Sequence, residues 1–252
     1  MELSKNMILL GNYFFKYRGQ FPILVFLIAF PIMIYTSHYY TIDVEIIQII
    51  RNSAILIGLS GLLLRYYTIG TTPHGTSGKN RNQQIANTLN TKGIYSIVRN
   101  PLYLANYLIW LGASMYSVSY ILIIIITLIF IVYYERIIIS EEKFLIEKFK
   151  QNYVNFCKNT PAIIPNFKNY KNSDYQFSIK KVLKEEYSST LSTVITFLYV
   201  ELIINTFILH KSNVLIQLPE KINTYILILV TSVIITLLLK IMKQTKMLKD
   251  KN

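Results

Sequence analysis

The chain contains few of the residues that build disulfides and metal sites. Its 252 residues include one cysteine and three histidines. The single cysteine, Cys157, excludes an intrachain disulfide. His38, His74 and His210 lie far apart in the sequence, and no zinc-binding spacing is present. We therefore expect no metal centre.

Charged residues are also scarce. They make up 15% of the chain, whereas a water-soluble domain usually carries about 25%. Hydrophobic residues make up 52% of the chain, and no charge occurs between Pro101 and Tyr134. A helix that crosses a membrane needs about 20 mostly apolar residues. The sequence therefore predicts an all-α fold, a polytopic helical membrane protein that forms a single membrane domain.

Long apolar blocks predict about six membrane-spanning helices. They cover Phe21–Tyr40, Glu45–Tyr66, Pro101–Tyr116, Val118–Ile139, Ser189–Leu209 and Ile222–Ile241. The third block is short for a full crossing, and we expect it to form a tight hairpin with the fourth. The first block is as long as a spanning helix and lacks a small-residue cleavage pattern, so we interpret it as a retained span.

The domain divides into three parts. Residues 1–67 carry the first two spans, residues 68–170 carry a core that includes the hairpin, and residues 171–252 carry two further spans with a basic tail. The formal net charge of +13 would suggest a nucleic-acid partner in a soluble protein. Here 23 of the 26 lysines and arginines fall in loops on one predicted side. The positive-inside rule places that side, with both termini, in the cytoplasm. We expect no nucleic-acid partner.

Two polar segments on that side hold most of the residues capable of chemistry. They are Gly70–Asn100, which leads into the third span, and Glu135–Phe167, which follows the fourth. If these spans form a hairpin, the two segments emerge side by side. We therefore predict one site at the inner membrane face, built from both segments.

Each segment contains a recognisable motif. Residues 93–105 read GIYSIVRNPLYLA, and residues 141–165 begin with EEKFL and end with Pro161 and Pro165. Together they resemble the isoprenylcysteine carboxyl methyltransferase and phospholipid methyltransferase superfamily of integral membrane enzymes. The resemblance covers about residues 80–167, roughly a third of the chain.

The resemblance implies transfer of a methyl group from S-adenosylmethionine to a membrane lipid acceptor, with a cytoplasmic active site in a bacterial inner membrane. It implies that the cofactor pocket is lined by Leu89, Asn90, Tyr95, Asn100, Pro101, Tyr103 and Glu141. The candidate catalytic residues are Arg99, Arg136 and Glu142. An arginine suits an anionic acceptor because its guanidinium binds in a bidentate fork.

Three positions depart from the superfamily pattern. Asn100 stands where histidine is usual, and Ala105 and Lys150 stand where glycine is usual. These departures keep open a non-catalytic lipid-binding protein. A membrane reductase of the steroid-reductase type, which would use NADPH, is another alternative.

Other questions also stay open from the sequence. The acceptor of the methyltransferase is a prenylated cysteine carboxylate, a phospholipid amine or a lipid phosphate, and we favour a lipid headgroup. In the fifth span Glu201 is either functional or hydrogen-bonded to Asn205 within the bundle.

Overall fold

The computed structural model describes residues 2–38, 41–73, 84–208 and 218–248. Its helices are α1 (Glu2–Tyr17), α2 (Phe21–Ile28), α3 (Phe30–Thr36), α4 (Val44–Gly70), α5 (Pro101–Tyr116), α6 (Tyr120–Phe149), α7 (Gln151–Asn159), α8 (Ile179–Ile203) and α9 (Leu218–Gln244). A short π-helix, Ile204–Ile208, continues α8. The predicted span ends Tyr40 and Leu209, and the histidines His74 and His210, lie outside the described residues. Within these residues the predicted all-α polytopic fold is confirmed.

Four helices are long and apolar enough to cross a membrane by themselves. They are α4, α6, α8 with its π-helical continuation, and α9. The helix pair α1 and α2–α3 passes the same test only as a unit bent by 89°. At 16 residues, α5 falls short of a full crossing. The structure therefore has four or five candidate spans among the described residues, instead of the six that we predicted.

The predicted first span is interrupted rather than continuous. It breaks at Ala29, which ends α2 and precedes α3. Pro31 stands in the first turn of α3, where its ring would clash with a carbonyl one turn earlier in a continuous helix. Pro22 occupies the same place in α2 and follows the bend from α1. Proline chemistry therefore divides this apolar block into short helices.

Glycines allow α4 and α5 to pack closely. A Cβ atom at Gly61 would lie 2.6 Å from the carbonyl oxygen of Ala105, and one at Gly112 would lie 2.6 Å from the carbonyl oxygen of Ala54. Small residues permit such backbone contact between helices in membranes. This contact fixes the start of α5, and with it the first motif, against the end of α4.

The helix α6 extends well beyond the predicted fourth span. It runs for 30 residues to Phe149, and the residue that follows it, Lys150, has a φ of +49°. Glycine adopts such a conformation without steric cost, whereas other residues do not. This explains why glycine is usual at this position in the superfamily. The second motif therefore begins on a helical extension of the span rather than in a separate interfacial helix.

The two C-terminal helices pack on the outside of this core. The helix α8 contacts α4 and α5, and α9 contacts α8. Arg65 on α4 pairs with Glu186 on α8, and Arg51 on α4 pairs with Glu201 further along α8. The order of these pairs shows that α4 and α8 run antiparallel.

Candidate functional site

A cavity of about 800 Å³ lies where the two motifs meet. Its walls come from the bend between α1 and α2, from α4 to α8, and from the described part of the loop before α5. All seven residues predicted to bind the cofactor line this cavity. The spatial convergence of the two polar segments is therefore confirmed.

One hydrogen bond joins the two motifs inside the cavity. The hydroxyl group of Tyr103, on the first turn of α5, donates to Oε2 of Glu141 on α6 at 2.7 Å. Tyr103 also packs against Tyr134, with ring centroids 4.7 Å apart. The cavity thus presents a carboxylate beside aromatic faces.

Two further polar side chains belong to the first motif and its upstream loop. Tyr95 follows Gly93, whose φ of +59° turns the chain into a short 3₁₀ helix. Burial and the nearby charge of Glu141 raise the pKa of the Tyr95 phenol well above its ordinary value, despite a hydrogen bond with Asn90. The phenol therefore stays neutral and available for hydrogen bonding.

Arg99 holds the second polar segment in place. Its Nη1 donates to the backbone carbonyls of Thr160 at 2.6 Å and Cys157 at 3.1 Å, while Nη2 donates to Glu142 at 2.7 Å. Arg99 also lines the cavity, and its buried Nε–H has no hydrogen-bond partner among the described residues. The guanidinium thus clamps the end of α7 while one donor remains unsatisfied.

Asn100 has a similar positioning role. Its Nδ2 donates to the carbonyl of Ala162 at 3.0 Å. Backbone bonds run alongside, from Arg99 N to Pro161 O and from Asn166 N to Ile97 O, each at 2.9 Å. An amide makes this bond without titrating, so asparagine is compatible with the local structure.

The remaining predicted catalytic residues lie outside the cavity walls. Glu142 pairs with Arg99 rather than facing the cavity. Arg136 pairs with its exposed neighbour Glu135 at 2.6 Å. The structure therefore brings Arg99 and Glu142 together and separates Arg136 from them.

Sequence reasoning missed several cavity residues that come from distant parts of the chain. Arg65 lines the cavity and donates to Glu186 at 2.7 Å and to Oδ1 of Asn106 at 2.5 Å. Asn106 in turn donates to the hydroxyl of Tyr134 at 2.9 Å. The bend after α1 contributes Arg18. No local motif marks these positions. The partners of Arg65 and Asn106 lie on other helices, and Arg18 donates to the backbone carbonyl of Phe15 at 2.9 Å.

The face of α8 that lines the cavity was also missed. Its polar members are Lys181, Glu185, Ser188, Ser189, Ser192, Thr193 and Thr196. They recur at intervals of three and four residues, which places them on one face of α8, and this is a signal that the sequence does contain. The described residues hold no group of three or more His, Cys, Asp and Glu that could bind a metal ion.

Comparison with known proteins supports the motif assignment. Residues 51–152 match the family described as phospholipid methyltransferase. The cobalt-zinc-cadmium resistance protein CzcN of Cupriavidus metallidurans is 28% identical over 130 residues, which is 51% of this chain. The chain spans 58% of the length of that relative. No solved structure matches the chain. The superfamily resemblance drawn from the two motifs is confirmed.

Proposed function

We propose, from the match of residues 51–152 to the phospholipid methyltransferase family, that this protein transfers a methyl group from S-adenosylmethionine to a membrane lipid. The family supports a membrane methyltransferase in general. The cofactor and the lipid acceptor are our proposal. The observation that carries it is the hydrogen bond between Tyr103 and Glu141 inside one cavity.

The cavity suits the cofactor in size and chemistry. Small-molecule sites usually measure about 300–1,000 Å³ and combine apolar walls with a few polar groups. The Glu141 carboxylate would accept charge-assisted hydrogen bonds from the amino group or the ribose of the cofactor. Asn90 and Tyr95 would add neutral hydrogen bonds from the loop before α5.

Catalysis would rest on alignment rather than on proton transfer. S-adenosylmethionine, when bound, supplies a methyl group on a sulfonium cation. The aromatic faces of Tyr103 and Tyr134 would favour a cation in the cavity by about 0.5–2 kcal/mol each. The acceptor atom would form its bond to the methyl carbon as the carbon–sulfur bond breaks and the electron pair stays on sulfur. An anionic oxygen requires no general base for this step, whereas an amine nitrogen also gives up a proton, which water can take. Correct positioning can supply about 7–11 kcal/mol of the barrier reduction.

Arg99 and Arg136 take new roles in this proposal. Arg99 would be a positioning residue that holds the segment after α7. Arg136, outside the cavity walls, would have no role in transfer. Arg18 lies in the cavity wall beside the bend, and we propose it as the cation that attracts an anionic acceptor group.

Cofactor binding to the purified protein tests this function. We expect micromolar affinity for S-adenosylhomocysteine by titration calorimetry in detergent. Glu141→Gln should weaken binding about tenfold or more, because it replaces charged hydrogen bonds with neutral ones. Glu147→Gln is the matched control, since Glu147 lies on the same helix but is exposed and pairs only loosely with Lys143 at 3.7 Å. Absence of binding by folded wild-type protein would contradict the proposal.

The two alternative functions predict different experimental results. A reductase would be stabilised by NADPH and not by the methyl donor in a thermal-shift screen. A non-catalytic lipid-binding protein would leave lipid extracts unchanged. A methyltransferase would add the mass of one methylene group to a lipid species, which mass spectrometry of extracts with and without the protein would detect.

A further inference from the structure

The helix α8 brings a row of hydroxyl groups into the cavity from outside the region that matches the family. We call this row the hydroxyl stripe, and its members are Ser188, Ser189, Ser192, Thr193 and Thr196. At 3.6 residues per turn they occupy an arc of about 140°, on the side that also carries Lys181 and Glu185. All five follow residue 152, where the family match ends.

The stripe reaches well into the span. From Ser188 to Thr196 it covers about 12 Å at 1.5 Å per residue. All three of Ser188, Ser192 and Thr193 line the cavity; the two serines are exposed, whereas Thr193 is buried. The polar wall therefore continues away from the two motifs and toward the apolar part of the bundle.

The two threonines of the stripe offer hydrogen-bond acceptors, whereas its serines can also donate. Thr193 and Thr196 donate their protons to carbonyls one turn earlier, those of Ser189 and Ser192, at 2.9 and 2.8 Å. Their oxygens keep lone pairs for a second partner. Ser189 already uses its oxygen to accept from Nη2 of Arg65 at 3.2 Å. A ligand with N–H or O–H donors satisfies this surface, and a hydrocarbon chain does not.

The neighbouring helix α9 provides a comparison, because its surface faces the hydrocarbon of the membrane. Leu227 and Leu238 expose 63% and 55% of their surface. Thr231 also donates to a carbonyl one turn earlier, that of Leu227 at 2.7 Å. An isolated threonine of this kind is therefore compatible with a lipid-facing surface, whereas five hydroxyls on one face of α8 are concentrated at the cavity.

We propose that the hydroxyl stripe is the wall that recognises the acceptor, and that the acceptor is a lipid whose polar headgroup carries hydrogen-bond donors, not a prenylated cysteine. This inference rests on the proposed function, because it assigns the acceptor side of the same cavity. It gives α8, which lies beyond the matched region, a direct part in specificity.

Thiol labelling tests the placement of the stripe without any catalytic turnover. Cys157 carries the only native thiol and is replaced first by serine. Thr196→Cys is then compared with Thr231→Cys in proteoliposomes, using a small charged methanethiosulfonate reagent. We expect Thr196→Cys to react at least about tenfold faster, because the stripe borders a polar cavity. Equal reaction rates at the two positions would overturn the proposal.

Methyl transfer tests the acceptor class. The triple variant Ser192→Ala, Thr193→Val and Thr196→Val removes three hydroxyls while leaving Ser189 and Arg65 intact. The control is Thr231→Val. Labelled S-adenosylmethionine is supplied with vesicles of phosphatidylethanolamine and phosphatidylglycerol, or with the same vesicles containing N-acetyl-farnesylcysteine.

We expect label in one or both vesicle lipids, and a loss of about tenfold or more in the triple variant, with unchanged cofactor affinity by calorimetry. Equal transfer by the triple variant and the wild type would overturn the inference. Transfer only to the farnesylated probe, or to no vesicle lipid although cofactor binds, would also overturn it. Failure of the wild-type protein to bind the cofactor would instead contradict the proposed function. The thiol-labelling rates would still test whether the hydroxyl stripe borders a polar cavity.

Discussion

Two buried arginine–glutamate pairs join α4 to α8, and they differ in what surrounds them. Arg65 and Glu186 meet at the cavity, where the guanidinium also contacts Asn106 and Ser189. Arg51 and Glu201 meet about 14 residues nearer the start of α4, roughly 21 Å away.

The distant pair has its own set of partners, all in the apolar part of the bundle. Glu201 accepts from Asn205 at 3.1 Å and from the hydroxyl of Tyr225, and Arg51 lies over the ring of Tyr116 at 4.4 Å. Arg51 therefore takes part in an internal ion pair. The comparison indicates that one pair shapes the cavity wall, whereas the other attaches the C-terminal helices.

Removing the carboxylate at the cavity should have the largest effect. Glu186 is 1% exposed and accepts from both Nε and Nη2 of Arg65. Glu186→Ala leaves a buried guanidinium without its counter-ion, which costs about 3–5 kcal/mol. We expect a large loss of stability in reversible unfolding in dodecyl sulfate micelles, together with weaker cofactor binding. Stability loss with normal binding would show that this pair, too, is only an attachment point.

The distant pair should affect stability without affecting binding. Glu201→Ala should cost about 2–3 kcal/mol, typical of hydrogen bonds to a charged group, because Arg51 stays 18% exposed and keeps its contact with Tyr116. Cofactor affinity should stay within twofold. The double variant Arg51→Met with Glu201→Leu should recover part of the loss, since it removes the uncompensated charge. A fall in cofactor affinity would show that the pair of Arg51 and Glu201 also influences the cavity.

A third link between α4 and α8 uses backbone carbonyls and should be weaker. The ammonium group of buried Lys181 donates to the carbonyl oxygens of Thr72 and Pro73 just beyond α4. Lys181→Met removes these bonds but also removes a buried charge, so we expect a net loss of only about 1 kcal/mol. The same unfolding assay checks this value. A loss as large as that of Glu186→Ala would show that the bonds from Lys181 to these backbone carbonyls stabilise α8 as strongly as the ion pair of Arg65 and Glu186.

Contacts of the site could be predicted from the sequence where both residues belong to recognisable motifs. Tyr103 and Glu141 were predicted because each belongs to a motif and the two motifs flank one hairpin. The clamp made by Arg99 was not, because its partners are backbone carbonyls at Cys157 and Thr160 that no side-chain pattern reveals.

Ion pairs between residues far apart in the sequence were a second feature that could not be predicted. Arg65 and Glu186 are 121 positions apart, and only the antiparallel packing of α4 and α8 brings them together. The break at Ala29 likewise depends on a local proline effect, which a block count of apolar residues overlooks. The short third block, by contrast, was predicted with the bounds that α5 has, Pro101–Tyr116. The long apolar runs of α4, α6 and α9, by contrast, were sufficient to predict those spans.

The ion pair of Arg136 and Glu135, in which the glutamate is exposed, should have the smallest effect of the series. Its glutamate is 54% exposed, and exposed pairs contribute about 0–1 kcal/mol. Arg136→Ala should change the unfolding free energy by no more than about 0.5 kcal/mol and should leave cofactor affinity and methyl transfer unchanged. Because Arg136 was a candidate catalytic residue on sequence grounds, the same variant also decides its role. A large fall in methyl transfer with unchanged stability would return Arg136 to the active site and would mean that the cavity described here is incomplete.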